Sequence, residues 1–230
     1  MCFADDDIED DIDDVSVLDY DDPSEVTLQM LLDEIGGIHR DLEYDREHSE
    51  YVARWLLDYA TLEDFGFAAA VYSLQLADAR IAIKAGMIFL SEALTQDEVE
   101  RTLRAAPPVY CYMPNLELGD EYHEYLCPRH GPLRRRKGVW EKDVAPCFCR
   151  YEMDFLIMPF CEGRVPKSEV TPEMEELFMS QAKAIFEIGK KFGGTPEVKT
   201  LMRLNGQIVF VDFGDVDDMD GLKLRPRVIG

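Results

Sequence analysis

Basic residues are absent from the first 22 positions of this chain. That stretch holds ten aspartates and one glutamate, and it contributes −11 to a formal net charge of −23. Because such a run repels itself and has little apolar surface to bury, we expect a disordered acidic tail over residues 1–23. The tail could serve solubility alone, or act as a decoy for a basic, nucleic-acid-binding surface. Because the net charge is negative, the protein is not expected to bind the phosphate backbone of a nucleic acid directly.

A signal peptide and a long apolar span are also absent from the sequence. We therefore expect no membrane association, and the six cysteines indicate a reduced, cytoplasmic setting. With 230 residues and 47% apolar content, the chain suits one domain or a small two-lobed one.

Helical periodicity begins after Ser24, a plausible N-cap. Apolar residues recur at helical spacing over residues 26–35, and a second helix is predicted over residues 47–59. Residues 24–61 are therefore predicted to form an N-terminal helical segment.

A glycine-containing run of small residues precedes a strand that ends in lysine. Residues 64–73 are Asp-Phe-Gly-Phe-Ala-Ala-Ala-Val-Tyr-Ser, and Arg80-Ile-Ala-Ile-Lys84 then alternates as a strand does. This alternation places Lys84 on the same face as Ala82 and Arg80. Protein kinases use a hairpin and a Val-Ala-Ile-Lys strand of this kind to cover nucleotide phosphates and to place one ammonium on them.

A capping-box pattern, Thr-Gln-Asp-Glu, begins at Thr95 and predicts the start of a short helix that runs to about Ala105. If Lys84 binds phosphate, an acidic residue on this helix should pair with it. Counting back from the two prolines that follow favours Glu98 over Glu92 and Glu100. Alternatively, Glu98 serves only its own helix start.

A cysteine- and histidine-containing insertion is predicted over residues 120–150. Cys-x₂-His is followed after sixteen residues by Cys-x-Cys, and these four side chains could supply a tetrahedral Zn²⁺ site: Cys127, His130, Cys147 and Cys149. Such a structural zinc would clip together an insertion with little apolar periodicity. The alternative is that these cysteines are free.

The last third of the chain combines a long helix with a hairpin that ends in an aspartate. Thr171-Pro172 predicts a helix of five or six turns that ends at Gly193-Gly194. Asn205-Gly206 predicts a tight turn into the apolar run 208–211, and Asp212 follows this run before Phe-Gly. In protein kinases, the Asp of Asp-Phe-Gly holds the Mg²⁺ that bridges nucleotide phosphates.

In this order, the segments resemble the protein kinase fold and are most similar to the compact early serine/threonine protein kinases of short-tailed bacteriophages. The resemblance covers residues 62–221 and is carried by residues 67–73, 83–84 and 201–212. It implies an α+β kinase-like fold: the helical segment comes first, a small antiparallel N-lobe sheet spans residues 62–163, and a minimal helical C-lobe spans residues 164–230.

The resemblance also implies a nucleotide site and a metal site. ATP would lie under the small-residue loop, with Lys84 on its α/β phosphates, Asp212 on Mg²⁺ and residues 156–160 as the adenine-side hinge. The nucleotide-binding residues would be Gly66, Phe67, Ala68, Ala69, Val71, Lys84, Met158 and Phe160. The implied activity is transfer of the ATP γ-phosphoryl group to serine or threonine of host proteins, in the host cytosol if a phage encodes the chain.

The predicted catalytic loop departs from this pattern. Kinases place an Asp and, five residues on, an Asn in this loop, but the corresponding positions here are Thr195 and Thr200. Glu197 is the acid in the loop and could substitute as the base. Since a positioned base contributes about 10² to 10⁴ in rate, two hypotheses stay open. The chain is a kinase with Lys84, Asp212 and Glu197 as its catalytic residues, or it is a catalytically inactive, kinase-like acidic protein that binds and inhibits a host factor.

Overall fold

A computed structural model of the protein describes residues 16–39, 45–65, 69–118, 153–163, 165–192, 201–211, 213 and 216–218. The largest element in these residues is a six-stranded sheet. Its strands are β1 (Gly37–Ile38), β2 (Thr61–Phe65), β3 (Ala69–Gln75), β4 (Arg80–Gly86), β5 (Cys111–Leu116) and β6 (Met153–Pro159). They lie in the order β1-β5-β6-β4-β3-β2, and all neighbours are antiparallel except the parallel pair β1 and β5.

Four α-helices accompany the sheet in the described part of the chain, so the predicted α+β class is confirmed. They are α1 (Leu28–Ile35), α2 (Arg46–Tyr59), α3 (Leu90–Leu103) and α4 (Pro172–Glu187). Three begin with a side-chain cap: Thr27 accepts from Met30, Asp45 from His48, and Thr171 from Met174. None of the described helices is long and apolar enough to cross a membrane.

The two faces of the sheet carry two separate apolar clusters. The outer cluster joins one face of the sheet to the N-terminal segment; its members include Leu31, Leu56, Ile83 and Phe155. The inner cluster lies on the opposite face and includes Ala82, Leu156 and Met158. Strand alternation explains the division, because odd-numbered residues of β4 and β6 point to the outer face and even-numbered ones to the inner face.

The N-terminal segment is fixed to the outer cluster from residue 16 onward. Val17 is fully buried, its amide donates to the Glu34 carboxylate at 2.7 Å, and the Trp55 indole donates to the carbonyl of Tyr20 at 3.0 Å. The predicted disordered tail of residues 1–23 is therefore too long at its carboxyl end. Val17 and Tyr20, which both pack against the outer cluster, anchor a stretch that its charge alone would leave unfolded. Residues 1–15 lie outside the described part.

The carboxyl-terminal elements form a third cluster, the lower cluster. Here α4 packs against the hairpin of β8 (Leu201–Leu204) and β9 (Gln207–Phe210), with Phe178, Ile185, Phe210 and Phe213 buried. The predicted turn is confirmed, since Asn205 and Gly206 connect the two strands with φ of 50° and 75°. A second pair joins β7 (Lys190–Phe192) to β10 (Val216–Asp218) in antiparallel fashion.

Three predicted helix boundaries are wrong. Ser24 does not cap the first helix, because it lies in a 3-10 turn (Pro23–Glu25) and α1 begins at Leu28 with Thr27 as its N-cap. The helix α4 ends at Glu187 and does not continue toward Gly193, because Gly189 adopts a φ of +86° and residues 190–192 extend as β7. The helix predicted to start at Thr95 begins five residues earlier, at Leu90, so Thr95 lies buried inside α3. The N-cap Phe89 makes no side-chain cap, which explains why no sequence signal marks this start.

The thiol of Cys161, just after β6, links stability to alkaline pH. Burial, with a smaller contribution from the Glu162 carboxylate, raises the pKa of Cys161 from 9.0 to about 11. The unfolded thiol thus ionises before the folded one. Its contribution to stability is complete below pH 9.0 and is lost as pH rises to about 11.

We therefore expect the urea midpoint of unfolding to fall more steeply for the wild type than for Cys161→Ala between pH 9.0 and about pH 11. Burial also raises the pKa of Cys111. This thiol is present in both proteins, so its contribution to the decrease of the urea midpoint is the same in both. Equal falls in the two proteins would contradict the assignment to Cys161.

Candidate functional site

Lys84 projects from β4 onto the inner face of the sheet and forms an ion pair with Glu92 in the first turn of α3. The exposed fractions of the two side chains are 16% and 5%, so water screens the pair little. Strand alternation places Ala82 and Arg80 on the same face, which confirms the predicted side of Lys84. The Lys84 ammonium and the buried Glu92 carboxylate thus lie together at the edge of an apolar surface.

The predicted partner of Lys84, Glu98, is wrong. Glu98 binds Lys190 of β7 at 2.7 Å, whereas Glu92 meets Lys84. The cause is the early start of α3. Since the helix begins at Leu90, its first turn lies beside β4, and Glu98 lies nearly two turns further along, toward β7.

The turn between β4 and α3 is fixed by two side chains that the sequence analysis did not identify. The amide of Ile88 donates to the Asp154 carboxylate at 3.1 Å, and the Tyr112 hydroxyl donates to the carbonyl of Ile88 at 3.0 Å. Asp154 also accepts from the amide of Asn115 at 3.0 Å. These bonds position the start of α3, and with it Glu92. Asp154 is the polar residue of the otherwise apolar β6, and this feature of the sequence could have identified it.

An apolar platform extends from Lys84 along the inner face. Val71 of β3 lies opposite Lys84, while Ala82 lies opposite Met158 of β6. Four residues predicted to bind nucleotide therefore belong to the inner cluster or pack against it: Ala69, Val71, Met158 and Phe160. The other predicted members, Gly66, Phe67 and Ala68, lie outside the described residues.

Polar side chains close the far end of this platform. Arg80 lies over the ring of Phe160, with its guanidinium carbon 3.7 Å from the ring centroid, and its Nη2 donates to Glu63 at 2.9 Å. Ser73 donates to the same Glu63 carboxylate at 2.6 Å. The platform thus has a cation at each end, separated by four residues of β4, or about 14 Å.

The residues on either side of Asp212, the predicted metal ligand, are described by the structure. Val211 is half-buried, and Phe213 is buried against Phe178 and Phe210. Asp212 itself lies outside the described residues, as do the predicted base Glu197 and the loop positions 195 and 200. In the strand pair of β10 and β7, Asp217 is in register with Lys191 and Asp218 with Lys190.

Metal ligands do not cluster in the part of the chain that the structure describes, where no three His, Cys, Asp or Glu side chains could hold an ion together. The predicted zinc ligands Cys127, His130, Cys147 and Cys149 fall outside that part, and the zinc site stays a prediction. For Mg²⁺, a single carboxylate is sufficient when substrate phosphates supply further ligands, so Asp212 is compatible with this ion by chemistry.

Comparison with protein-family models gives no match for the chain, and comparison with curated proteins gives no significantly similar sequence.

Proposed function

We propose that the protein binds ATP with Mg²⁺ and transfers the γ-phosphoryl group to serine or threonine of another protein. One observation carries the proposal. A largely buried lysine on a central strand pairs with a glutamate on the helix that follows, at the end of an apolar platform. Protein kinases use the same combination, a strand lysine and a helix glutamate, to hold the α/β phosphates.

The order of the strands adds support. Lys84 lies on the third strand of the consecutive antiparallel run β2, β3 and β4; α3 follows it, and β6 then pairs beside β4. The residues at the β2 to β3 turn would cover the phosphates, and the platform around Ala82 and Met158 would receive the base. In this proposal Lys84 neutralises phosphate charge and Asp212 holds Mg²⁺.

The acceptor hydroxyl requires a base, and we assign that role to Glu197. Protein kinases use an aspartate to accept this proton and an asparagine five residues on for a second metal ion. Because threonines occupy both corresponding positions here, 195 and 200, the proposed reaction relies on Glu197 and one metal ligand from Asp212.

The same two threonines favour a second candidate function: nucleotide binding without transfer, in a protein that binds and inhibits a host factor. A positioned base is worth about 10² to 10⁴ in rate, so a chain without one could keep the ATP site and lose the reaction. The two functions share the platform and Lys84 but differ in whether phosphate leaves ATP.

Two measurements on the full chain test these functions. ATP with Mg²⁺ should raise the melting temperature in a saturable way, because the ligand binds the native state. Radiolabel from γ-labelled ATP should appear on a general acceptor protein, and Asp212→Asn should remove it while exposed Lys183→Met should not. Saturable stabilisation without label transfer would favour the non-catalytic function. No stabilisation by ATP would contradict both.

A further inference from the structure

A second lysine, outside the platform, is also largely buried and paired with an acid of α3. Lys190 lies in β7, and its side chain is 9% exposed and binds Glu98 at 2.7 Å, whereas Glu98 is 43% exposed. Burying an ammonium is costly unless an opposite charge compensates it. Lys190 therefore constrains the position of Glu98. Because Glu98 lies on α3, the position of this helix is constrained with it.

The carboxyl-terminal half of α3 is joined to the lower cluster by further contacts. Val99 and Ala105 pack in the lower cluster with Phe178 of α4. The amide of Phe210 donates to the carbonyl of Ala105, just after the helix, at 2.7 Å. These apolar contacts and this backbone bond hold the end of α3, the buried Gln96 amide donates to the carbonyl of Pro107 at 3.0 Å, and the pair of Lys190 and Glu98 adds a directed ion pair.

The amino-terminal half of α3 carries Glu92 to Lys84. Glu92 and Glu98 are six residues apart on one helix, or about 9 Å along its axis. A helix transmits a rotation over this length because its backbone is rigid. A change in the orientation of α3 at Glu98 therefore moves Glu92 relative to Lys84.

We propose that Lys190 is a positioning residue: by holding Glu98, it sets the orientation of α3 in which Glu92 reaches Lys84. In this arrangement the ion pair on the platform depends on a second ion pair with a strand of the carboxyl-terminal elements. The consequence for nucleotide affinity rests on the proposed ATP site, but the geometric coupling between the two ion pairs does not.

The test measures the accessibility of Lys84 without any nucleotide. An amine-reactive ester labels the full, unliganded chain, and mass spectrometry gives the rate at Lys84 relative to exposed Lys183 in the same molecule. Three variants are compared with the wild type: Lys190→Met, Lys190→Arg and Glu98→Gln. The matched control is Glu187→Gln, which removes an exposed i,i+4 pair on α4.

We expect Lys190→Met and Glu98→Gln to raise the relative labelling of Lys84 by about fivefold, a coupling typical of residues that interact through one network. Lys190→Arg, which keeps the charge, and Glu187→Gln should stay near the wild-type rate. Unchanged labelling in Glu98→Gln would overturn the proposal. If Glu98→Gln fails to fold by circular dichroism, because it takes the carboxylate away from the largely buried Lys190, then Lys190→Met decides, since it leaves only the half-exposed Glu98 without its partner. Unchanged labelling in Lys190→Met would then overturn the proposal.

A double-mutant cycle connects this coupling to nucleotide binding. With ATP and Mg²⁺ as the probe, Lys190→Met should weaken binding by about fivefold in the wild-type background and have no further effect in a Glu92→Gln background. Equal effects in both backgrounds would overturn the route through Glu92. If the wild type binds no ATP, the proposed function fails, and the labelling experiment still decides the coupling.

Discussion

Replacing Lys84 by methionine is expected to lower phosphoryl transfer from ATP by about 10² or more, because the variant loses the ammonium that would neutralise phosphate charge. The substitution also leaves Glu92, which is 5% exposed, without the ammonium it pairs with. Breaking a buried ion pair from one side costs about 3 to 5 kcal/mol in stability. A single variant would therefore confuse loss of the site with loss of the fold.

The double variant Lys84→Met with Glu92→Gln separates these effects. Glutamine removes the buried negative charge that Lys84 compensates in the wild type, so the double variant should recover most of the free energy of unfolding, measured by urea denaturation, and should not recover transfer from γ-labelled ATP. Lys183→Met is the matched control, since it removes a lysine from exposed surface of α4. Wild-type transfer by the double variant would rule out Lys84 as a phosphate ligand.

Phe210→Ala is expected to lower the free energy of unfolding by about 3 to 5 kcal/mol, the usual cost of removing a buried phenylalanine side chain. Phe210 is 1% exposed and stacks on Phe178, with ring centroids 5.1 Å apart and an angle of 15° between the rings. The substitution removes both the buried area and the ring pair. Urea denaturation followed by circular dichroism measures the loss.

Phe186→Ala provides the control for this experiment. Phe186 lies on α4, as Phe178 does, but it is 51% exposed. Its removal should change the free energy of unfolding by less than about 1 kcal/mol, since surface substitutions usually have small effects. Similar losses in the two variants would mean that the lower cluster is not where the carboxyl-terminal elements gain their stability.

The sequence predicted elements whose signals are local. Alternation in β4 correctly placed Lys84, Ala82 and Arg80 on one face, and Asn205-Gly206 correctly marked the hairpin because its turn requires positive φ at both residues. The cap and proline at Thr171 correctly gave the start of α4. In each case the residues that determine the element lie within it or beside it.

The partner of Lys84 could not be predicted in the same way. Phe89 offers no side-chain cap, so the start of α3 depends on tertiary bonds from Asp154 and Tyr112 to Ile88. These residues are far apart in sequence, and no periodicity relates them. The pairing of Lys190 with Glu98 has the same character, because it joins a strand and a helix that are separated by most of the second half of the described chain.

The two-residue strand β1 affects whether the sheet can pair with a sheet of a second copy of this protein. The amides of Gly37 and His39 donate to the carbonyls of Tyr110 and Tyr112, so this short segment occupies the hydrogen-bonding edge of β5. The opposite edge of the sheet is β2, which carries Glu63 and Asp64. Both side chains are exposed, and charged side chains on an edge strand disfavour pairing with a strand of a second copy, because pairing would remove water from them. With one border covered and the other charged, the sheet resists recruiting strands from neighbouring chains even when the protein is concentrated.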